Sequence, residues 1–289
     1  MHNLRPIALM ILSMACFTIG DSAIKLAARS IPAGEVLAAI GLFGAAAFAA
    51  MTRAQGHRVL APDLFHRAVL ARNLFEVIGT LCMVTALSLV ALSTTSAILQ
   101  ATPLAVTLGA AVLLREPVGW RRWLATIVGF GGVLLIVRPG AAGFELASLW
   151  AVAALGALAM RDLLTRLAPA TTPTLRLATY GMASLFPAGL ISMALFGQPP
   201  VTMGLATSVQ VALAVGFGVA GYWALTAAMR MGEVSVVAPF RYARILFAIA
   251  AGILVFGERP DRWVLIGAAI TVAAGLYIFL REGRLKKAG

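Results

Sequence analysis

The sequence predicts an all-α integral membrane protein with ten transmembrane helices, arranged as two inverted five-helix repeats. The chain of 289 residues is 61% hydrophobic and only 12% charged, with a mean hydropathy of +0.94. A soluble domain carries about 25% charged residues, so this composition excludes that class. Apolar runs of about 20 residues, each long enough to cross a bilayer as a helix, recur along the chain. The two halves of the chain also resemble each other.

Each predicted helix is an apolar run, and the connections between the helices are short and carry turn signals. Short turns separate consecutive helices, for example SIPAGE at 30–35 and FGQPP at 196–200. The first apolar run lacks a small-residue cleavage site followed by a soluble domain, so we expect no signal peptide. The predicted helices are 6–28, 34–52, 68–91, 95–114, 121–138, 146–164, 175–196, 207–228, 234–256 and 263–281.

The basic residues predict the orientation. Most of them, Arg161 among them, fall in one set of loops and helix ends, whereas Arg29, Arg138, Arg259 and Arg262 fall on the other side. Cytoplasmic loops collect Lys and Arg, so we expect both termini in the cytoplasm and the chain in the inner (plasma) membrane. The same rule explains the net charge of +12 without a nucleic-acid partner. We expect the bilayer and a small-molecule solute as partners.

Residues 1–142 and 143–289 are predicted to be two copies of one unit, at a shift of about 141–143 residues. Asp21 then corresponds to Asp162, Lys25 to Arg166, and Glu116 to Glu258. Each copy has five helices, an odd number, so the second must cross the membrane in the opposite direction. Inverted repeats are common in secondary transporters, whose solute site lies near the midplane between the repeats. Glu116 and Glu258 themselves are interpreted as structural helix-end residues.

Residues 91–140 and 236–261 both contain a helix that ends in Glu, a nearby Pro, a short basic turn and a Gly-rich helix. This pattern resembles the drug/metabolite transporter superfamily, specifically its ten-helix EamA-like family. The resemblance covers essentially the whole chain. It implies a carrier of small metabolites in which helix 9 lines a central cavity.

Polar side chains within membrane helices usually face other helices or a water-filled cavity, so they are the candidate binding residues. In APFRYARILFA, residues 238–248, Pro239 should loosen the helix start. Arg241 and Arg244 then share one face at i, i+3 and can together grip a carboxylate or phosphate. The alternative places both at the membrane interface, where long basic side chains reach water. The other candidates are Ser96 and Gln100 in helix 4, Asn73 in helix 3, and Tyr222, Trp223 and Thr226 in helix 8.

Charged pairs at i, i+4 are the candidates for coupling or gating. Glu76 either neutralises its neighbour or serves as a protonatable coupling group. The other two pairs are repeat counterparts, and they either latch opposite membrane faces in turn or satisfy interfacial charges. The three pairs are Arg72 with Glu76, Asp21 with Lys25, and Asp162 with Arg166.

The leading functional hypothesis is a secondary transporter that moves a small anionic or zwitterionic organic metabolite across the inner membrane by alternating access. An amino acid, an organic acid or a cofactor-like solute fits this description, and a broad exporter of drugs or hydrophobic metabolites is the alternative. An enzyme is disfavoured because the three histidines, His2, His57 and His66, fall outside the predicted helices. A channel is disfavoured because nothing resembles a selectivity-filter loop. We expect no cofactor and no metal, and a repeat pair can form a complete monomeric carrier.

Overall fold

The computed structural model describes residues 4–115, 119–139, 145–231 and 234–288, without side chains at 230, 234, 235, 238 and 281–288. Glu116 therefore lies outside the described residues. The prediction of ten spans is confirmed within this part of the chain, which holds ten helices long and apolar enough to cross a membrane. We name them α1 (Leu4–Ala27), α2 (Ala33–Ala54), α3 (Arg67–Leu89), α4 (Leu92–Leu99 and Thr102–Leu113), α5 (Trp120–Val137), α6 (Ser148–Arg166), α7 (Thr174–Leu195), α8 (Leu205–Met231), α9 (Ala243–Phe256) and α10 (Arg262–Ala288).

Helix α4 is interrupted, which corrects the prediction of one continuous helix over 95–114. The first segment ends at Leu99 and the second begins at Thr102. Pro103 has no backbone N–H with which to bond the carbonyl of Leu99. The hydroxyl of Thr102 donates to that carbonyl instead, at 2.6 Å. This bond matters because a backbone group at membrane depth has little water with which to pair.

The approach to α9 is also irregular, which corrects the predicted single helix over 234–256. A short helix, Val234–Val237, is followed by a 3₁₀ helix, Ala238–Tyr242, and only then by α9. Pro239 lies at the start of the 3₁₀ helix, so the expected irregular helix start is observed there. Arg241 consequently lies on the 3₁₀ helix and Arg244 on α9.

The most extensive helix contacts among the described residues join α1 to α8, α2 to α7, α3 to α6 and α5 to α10. Glycines bring two of these pairs into backbone contact. In α5 and α10, a Cβ at Gly132 would collide with the carbonyl oxygen of Gly267, and a Cβ at Gly267 with that of Gly132. In α2 and α7, a Cβ at Gly34 would collide with the carbonyl oxygen of Gly189, and a Cβ at Gly189 with that of Gly34. Small residues at helix crossings allow this close approach.

Candidate solute-binding site

A buried cluster of four charged side chains links α3 to α6. The carboxylate of Glu76 accepts from Arg72 at 2.7 Å and from Arg161 at 3.0 Å, and Arg161 also donates to Asp162 at 2.7 Å. Arg72 donates further to the side chain of Asn73 at 3.0 Å. The predicted pairing of Arg72 with Glu76 is thus confirmed. Asn73 contacts an arginine of this cluster, which we call the α3–α6 cluster.

Arg161 was not a predicted site residue, because it was counted among the basic residues of loops and helix ends that predict the orientation. The structure places it within α6, where its guanidinium reaches across to Glu76 on α3. Asp162 bonds this neighbouring arginine, and its pairing with Arg166 at i, i+4 stays a prediction. The adjacent opposite charges in a hydrophobic run were the signal that could have identified Arg161.

Arg244 contacts two side chains of α1. Its guanidinium donates to Asp21 at 2.5 Å and lies 5.5 Å from the ring centre of Phe17. The predicted pairing of Asp21 with Lys25 is therefore wrong, since Asp21 pairs across helices instead. The expectation that Arg241 and Arg244 grip one ligand as a pair stays a prediction, and in this structure only Arg244 has an ion-pair partner among the described residues. The two guanidinium groups serve different neighbours.

Arg241 differs from the other cations of the bundle centre. Its side chain is exposed, although charged groups of α6 and α9 surround it: Asp162 attracts its charge, while Arg161 and Arg244 repel it. Within the described ranges no carboxylate forms an ion pair with it. The side-chain amide of Gln100, at the interruption of α4, lies 3.4 Å from its backbone carbonyl. Arg241 is therefore an accessible guanidinium among helices.

Among the described residues, the charged side chains at the centre of the bundle leave an excess of one positive charge. In the α3–α6 cluster, two arginines face two carboxylates, and the pair of Arg244 with Asp21 is neutral. Arg241 adds a positive charge that these carboxylates do not balance. A solute group with one negative charge would balance it.

The remaining predicted residues separate into two places. Ser96 is buried within α4, one turn before Gln100. Tyr222, Trp223 and Thr226 instead line a cavity of about 520 Å³ at the end of the bundle that contains the 55–66 and 167–173 segments. We call it the end cavity. Its lining residues are Met51, Gln55, His57, Ala170, Thr171, Thr172, Pro173, Thr174, Leu175, Tyr222, Trp223, Thr226, Ala227 and Met231.

The opposite end of the bundle is held together by polar contacts around the turn between α3 and α4. Lys25 donates to the carbonyl of Leu87 at 3.0 Å and to that of Val90, and its ammonium lies 3.9 Å from Glu258. Glu258 in turn accepts from the N–H of Leu92 at 2.5 Å and from the hydroxyl of Ser93 at 2.7 Å. Glu258 was predicted to be a structural helix-end residue, and it caps α4. We call this arrangement the Lys25–Glu258 clamp.

Asp63, in the segment between α2 and α3, ties that segment to α7. It accepts from Arg176 at 2.8 Å and from the hydroxyl of Tyr180 at 3.0 Å. Partial burial alone would raise the pKa of Asp63, but the hydrogen bonds, first that from Arg176, hold its pKa below the ordinary carboxylate value. This contribution to stability is therefore present above the unfolded pKa of about 4 and is lost as the pH falls through the folded pKa.

We predict that Asp63→Asn frees the 55–66 segment at neutral pH, whereas the wild-type segment is released only below about pH 4. The measurement is the rate at which a protease that remains active across this range cleaves the segment in detergent-solubilised protein. Asp261→Asn is the matched control, because Asp261 pairs with Arg138 at 2.5 Å at the opposite end of the bundle. Equal protection of the Asp63→Asn and wild-type segments at pH 7 would contradict the assignment.

Within the described residues, no three His, Cys, Asp or Glu side chains group as a metal site requires.

Comparison with known proteins gives consistent findings. The sequence model of the EamA-like transporter family matches residues 4–138. The riboflavin transporter of Vibrio cholerae is 34% identical over 185 residues, which cover 63% of this chain and 60% of that protein. The riboflavin transporter of Brucella anthropi is 30% identical over 204 residues, 67% of each chain. The S-adenosylmethionine uptake transporter of Rickettsia bellii is 27% identical over 214 residues, 73% of this chain and 72% of that protein.

A solved crystal structure of a protein has the same fold. It superposes with a TM-score of 0.63 at 20% sequence identity, covering 96% of this chain and 98% of the other.

Proposed function

Because the chain belongs to the EamA-like transporter family, we propose that it is a secondary carrier for a small organic metabolite with one negatively charged group. Arg241 binds that group, and Gln100 lies beside it at the interruption of α4. The carrier works by alternating access across the inner membrane, with both termini in the cytoplasm. The observation that carries the proposal is the accessible charge of Arg241, which no carboxylate in the described part of the chain pairs, whereas Arg72, Arg161 and Arg244 each have an ion-pair partner.

Contacts between repeat counterparts support the inverted arrangement of residues 1–142 and 143–289. Gln100 contacts Arg241, 141 residues later, and the hydroxyl of Thr271 donates to the carbonyl of Gly129, 142 residues earlier. Both separations fall within the shift of about 141–143 residues at which the two halves of the sequence align. In a twofold arrangement, a residue contacts its own counterpart only near the axis. The candidate site thus lies where the proposed repeats meet, as in other carriers built from inverted repeats.

The two ends of the bundle differ as alternating access requires. The Lys25–Glu258 clamp joins α1, α3, α4 and the α9–α10 turn at one end, whereas the other end has the 520 Å³ end cavity. The basic loops lie at the cavity end, which we therefore place in the cytoplasm. The clamp then closes the outer side, and Lys25 acts in gating. Release of the Lys25–Glu258 clamp would accompany opening of the carrier toward the outside.

The named relatives support a metabolite of cofactor size. Two are called riboflavin transporters and one an S-adenosylmethionine uptake transporter. S-adenosylmethionine carries a carboxylate that Arg241 can bind through paired N–H donors. Riboflavin has no carboxylate, but its carbonyl oxygens can accept from the same donors. We therefore favour a solute that combines a ring system with an anionic or strongly accepting group.

A binding and transport experiment tests this function. Purified protein is screened for thermal stabilisation by S-adenosylmethionine, riboflavin, amino acids and organic acids, because a ligand of the folded state raises the unfolding temperature. Each stabilising solute is then assayed for saturable counterflow in proteoliposomes. We expect a carboxylate-bearing solute to be transported, and its methyl ester to bind at least about tenfold more weakly because Arg241 loses its ionic partner, a difference of about 1.4 kcal/mol.

The methyl ester is the control, since it removes the negative charge and adds only one methyl group to the solute. Equal binding and transport of acid and ester would contradict the role given to charge. Non-saturable flux without counterflow would contradict a carrier.

A further inference from the structure

The end cavity differs in chemistry from the surroundings of Arg241. Among the residues that the structure describes, none that lines it is Asp, Glu, Lys or Arg, although the segments around it are rich in arginine. Its volume of about 520 Å³ lies within the range of small-molecule pockets, about 300–1,000 Å³. A charged group gains no ionic partner from this lining, so the cavity favours an uncharged ligand or the uncharged part of one.

One wall of the cavity is aromatic. Tyr222 and Trp223 are consecutive residues of α8, and both line the cavity. Phe48 of α2 packs edge-on against Tyr222, with ring centres 5.0 Å apart and an interplanar angle of 76°. This contact fixes the tyrosine ring, whereas Trp223 is 55% exposed and offers its surface to a ligand. Stacking of a planar ring on such a residue contributes about 0.5–1.5 kcal/mol beyond the burial of its area.

The other walls supply uncharged hydrogen-bonding groups. Thr171 and Thr174, around the start of α7, are exposed and line the cavity. Gln55 and His57 line it from the end of α2. Thr226 donates its hydroxyl proton to the carbonyl of Tyr222 at 2.9 Å, so its oxygen keeps acceptor capacity toward a ligand. Amides, hydroxyls and an imidazole suit a ligand that bears hydroxyl and carbonyl groups.

The cavity adjoins the centre of the bundle through Tyr222. Tyr222 also lies in the neighbourhood of Arg72 of the α3–α6 cluster. The same tyrosine therefore faces the cavity on one side and the charged centre on the other. A molecule that leaves Arg241 toward the cytoplasm would pass this residue.

We propose that the end cavity is a second solute site, at the mouth of the translocation path, which binds an uncharged, planar, hydroxyl-bearing ring system. This inference rests on the proposed function in that the ligand is the transported solute or its ring portion. The two sites divide recognition between them: Arg241 selects the charged or strongly accepting group, and the aromatic and hydroxyl walls select the ring. Solutes that have the charge but not the ring bind only at the centre.

The test uses riboflavin as the probe, because it is uncharged, planar and hydroxylated and because stacking on an aromatic residue quenches its fluorescence. It is titrated with the purified full-length protein. We expect saturable quenching by the wild type, at least tenfold weaker binding by Trp223→Ala, and partial recovery by Trp223→Phe, which restores a ring. Trp150→Ala is the matched control and should bind as the wild type does, because Trp150 is similarly exposed but lies on α6 at the opposite end.

The variant Arg241→Ala separates this inference from the proposed function. Retained riboflavin quenching with lost counterflow of an anionic solute supports both sites. Retained counterflow overturns the role of Arg241 but not the end cavity. Loss of quenching in Arg241→Ala, unaltered binding by Trp223→Ala, or no quenching by the wild type would each overturn the second site.

Discussion

Replacement of Arg241 by alanine should reduce counterflow of an anionic solute by at least about 100-fold while the protein remains folded. Loss of one partner from a desolvated, hydrogen-bonded charge pair costs about 2–5 kcal/mol, and a factor of 100 corresponds to about 2.7 kcal/mol. The fold should survive because Arg241 is exposed and has no ion-pair partner among the described residues. Initial rates in proteoliposomes measure transport, and the size-exclusion profile checks the fold.

Two variants make this result specific. Arg241→Lys keeps the charge but loses the planar fork of donors, so we expect transport between that of the wild type and of the alanine variant. Arg53→Ala removes an exposed arginine at the end of α2 and should leave transport unchanged. Wild-type rates in a folded Arg241→Ala protein would remove Arg241 from the site.

Replacement of Glu76 by alanine should have the largest effect on stability. Glu76 is 3% exposed and accepts from both Arg72 and Arg161. Without it, two guanidinium groups face each other inside the membrane with only Asp162 nearby. Removal of one partner from a buried ion pair costs about 3–5 kcal/mol. We expect a strongly lowered unfolding temperature in detergent and a reduced yield of monodisperse protein.

Asp162→Asn is the matched control within the same cluster. Its carboxylate contacts the same Arg161, but it is more exposed, and Arg161 keeps its bond to Glu76. We therefore expect a loss of less than about 1 kcal/mol, as for other solvent-accessible ion pairs. Unchanged stability of Glu76→Ala would contradict a structural role for Glu76 and favour the alternative, a protonatable coupling group.

The ten spans were predictable from the sequence because the bilayer imposes a local requirement. Each segment must supply about 20 apolar residues and satisfy its backbone within itself, and both requirements can be read in a short window. The interruption of α4 was not predicted, although the sequence has Pro103 within this helix. A proline in a membrane helix is compatible with a kink or a break, and the choice depends on nearby donors such as Thr102.

The pairing of the central charges was harder to predict, because local spacing suggests partners that tertiary packing overrides. Asp21 and Lys25 have the right spacing for a pair, yet Asp21 bonds Arg244, 223 residues away. Arg72 and Glu76 do pair locally, and Arg161 joins them from α6. Spacing along one helix does not show which face a neighbouring helix covers. The difference between Arg241 and Arg244, which decides the proposed site, appears only once α1 and α6 are in place.

The reciprocal contact of Gly132 with Gly267 has a mechanical consequence. With no side chain between their backbones, α5 and α10 can neither slide past each other nor separate without loss of close packing. We therefore expect this crossing to act as a fulcrum. Helices on the far side of the bundle would tilt about this crossing. A bulkier residue at either glycine would force α5 and α10 apart and impair this motion, although it would not contact the solute.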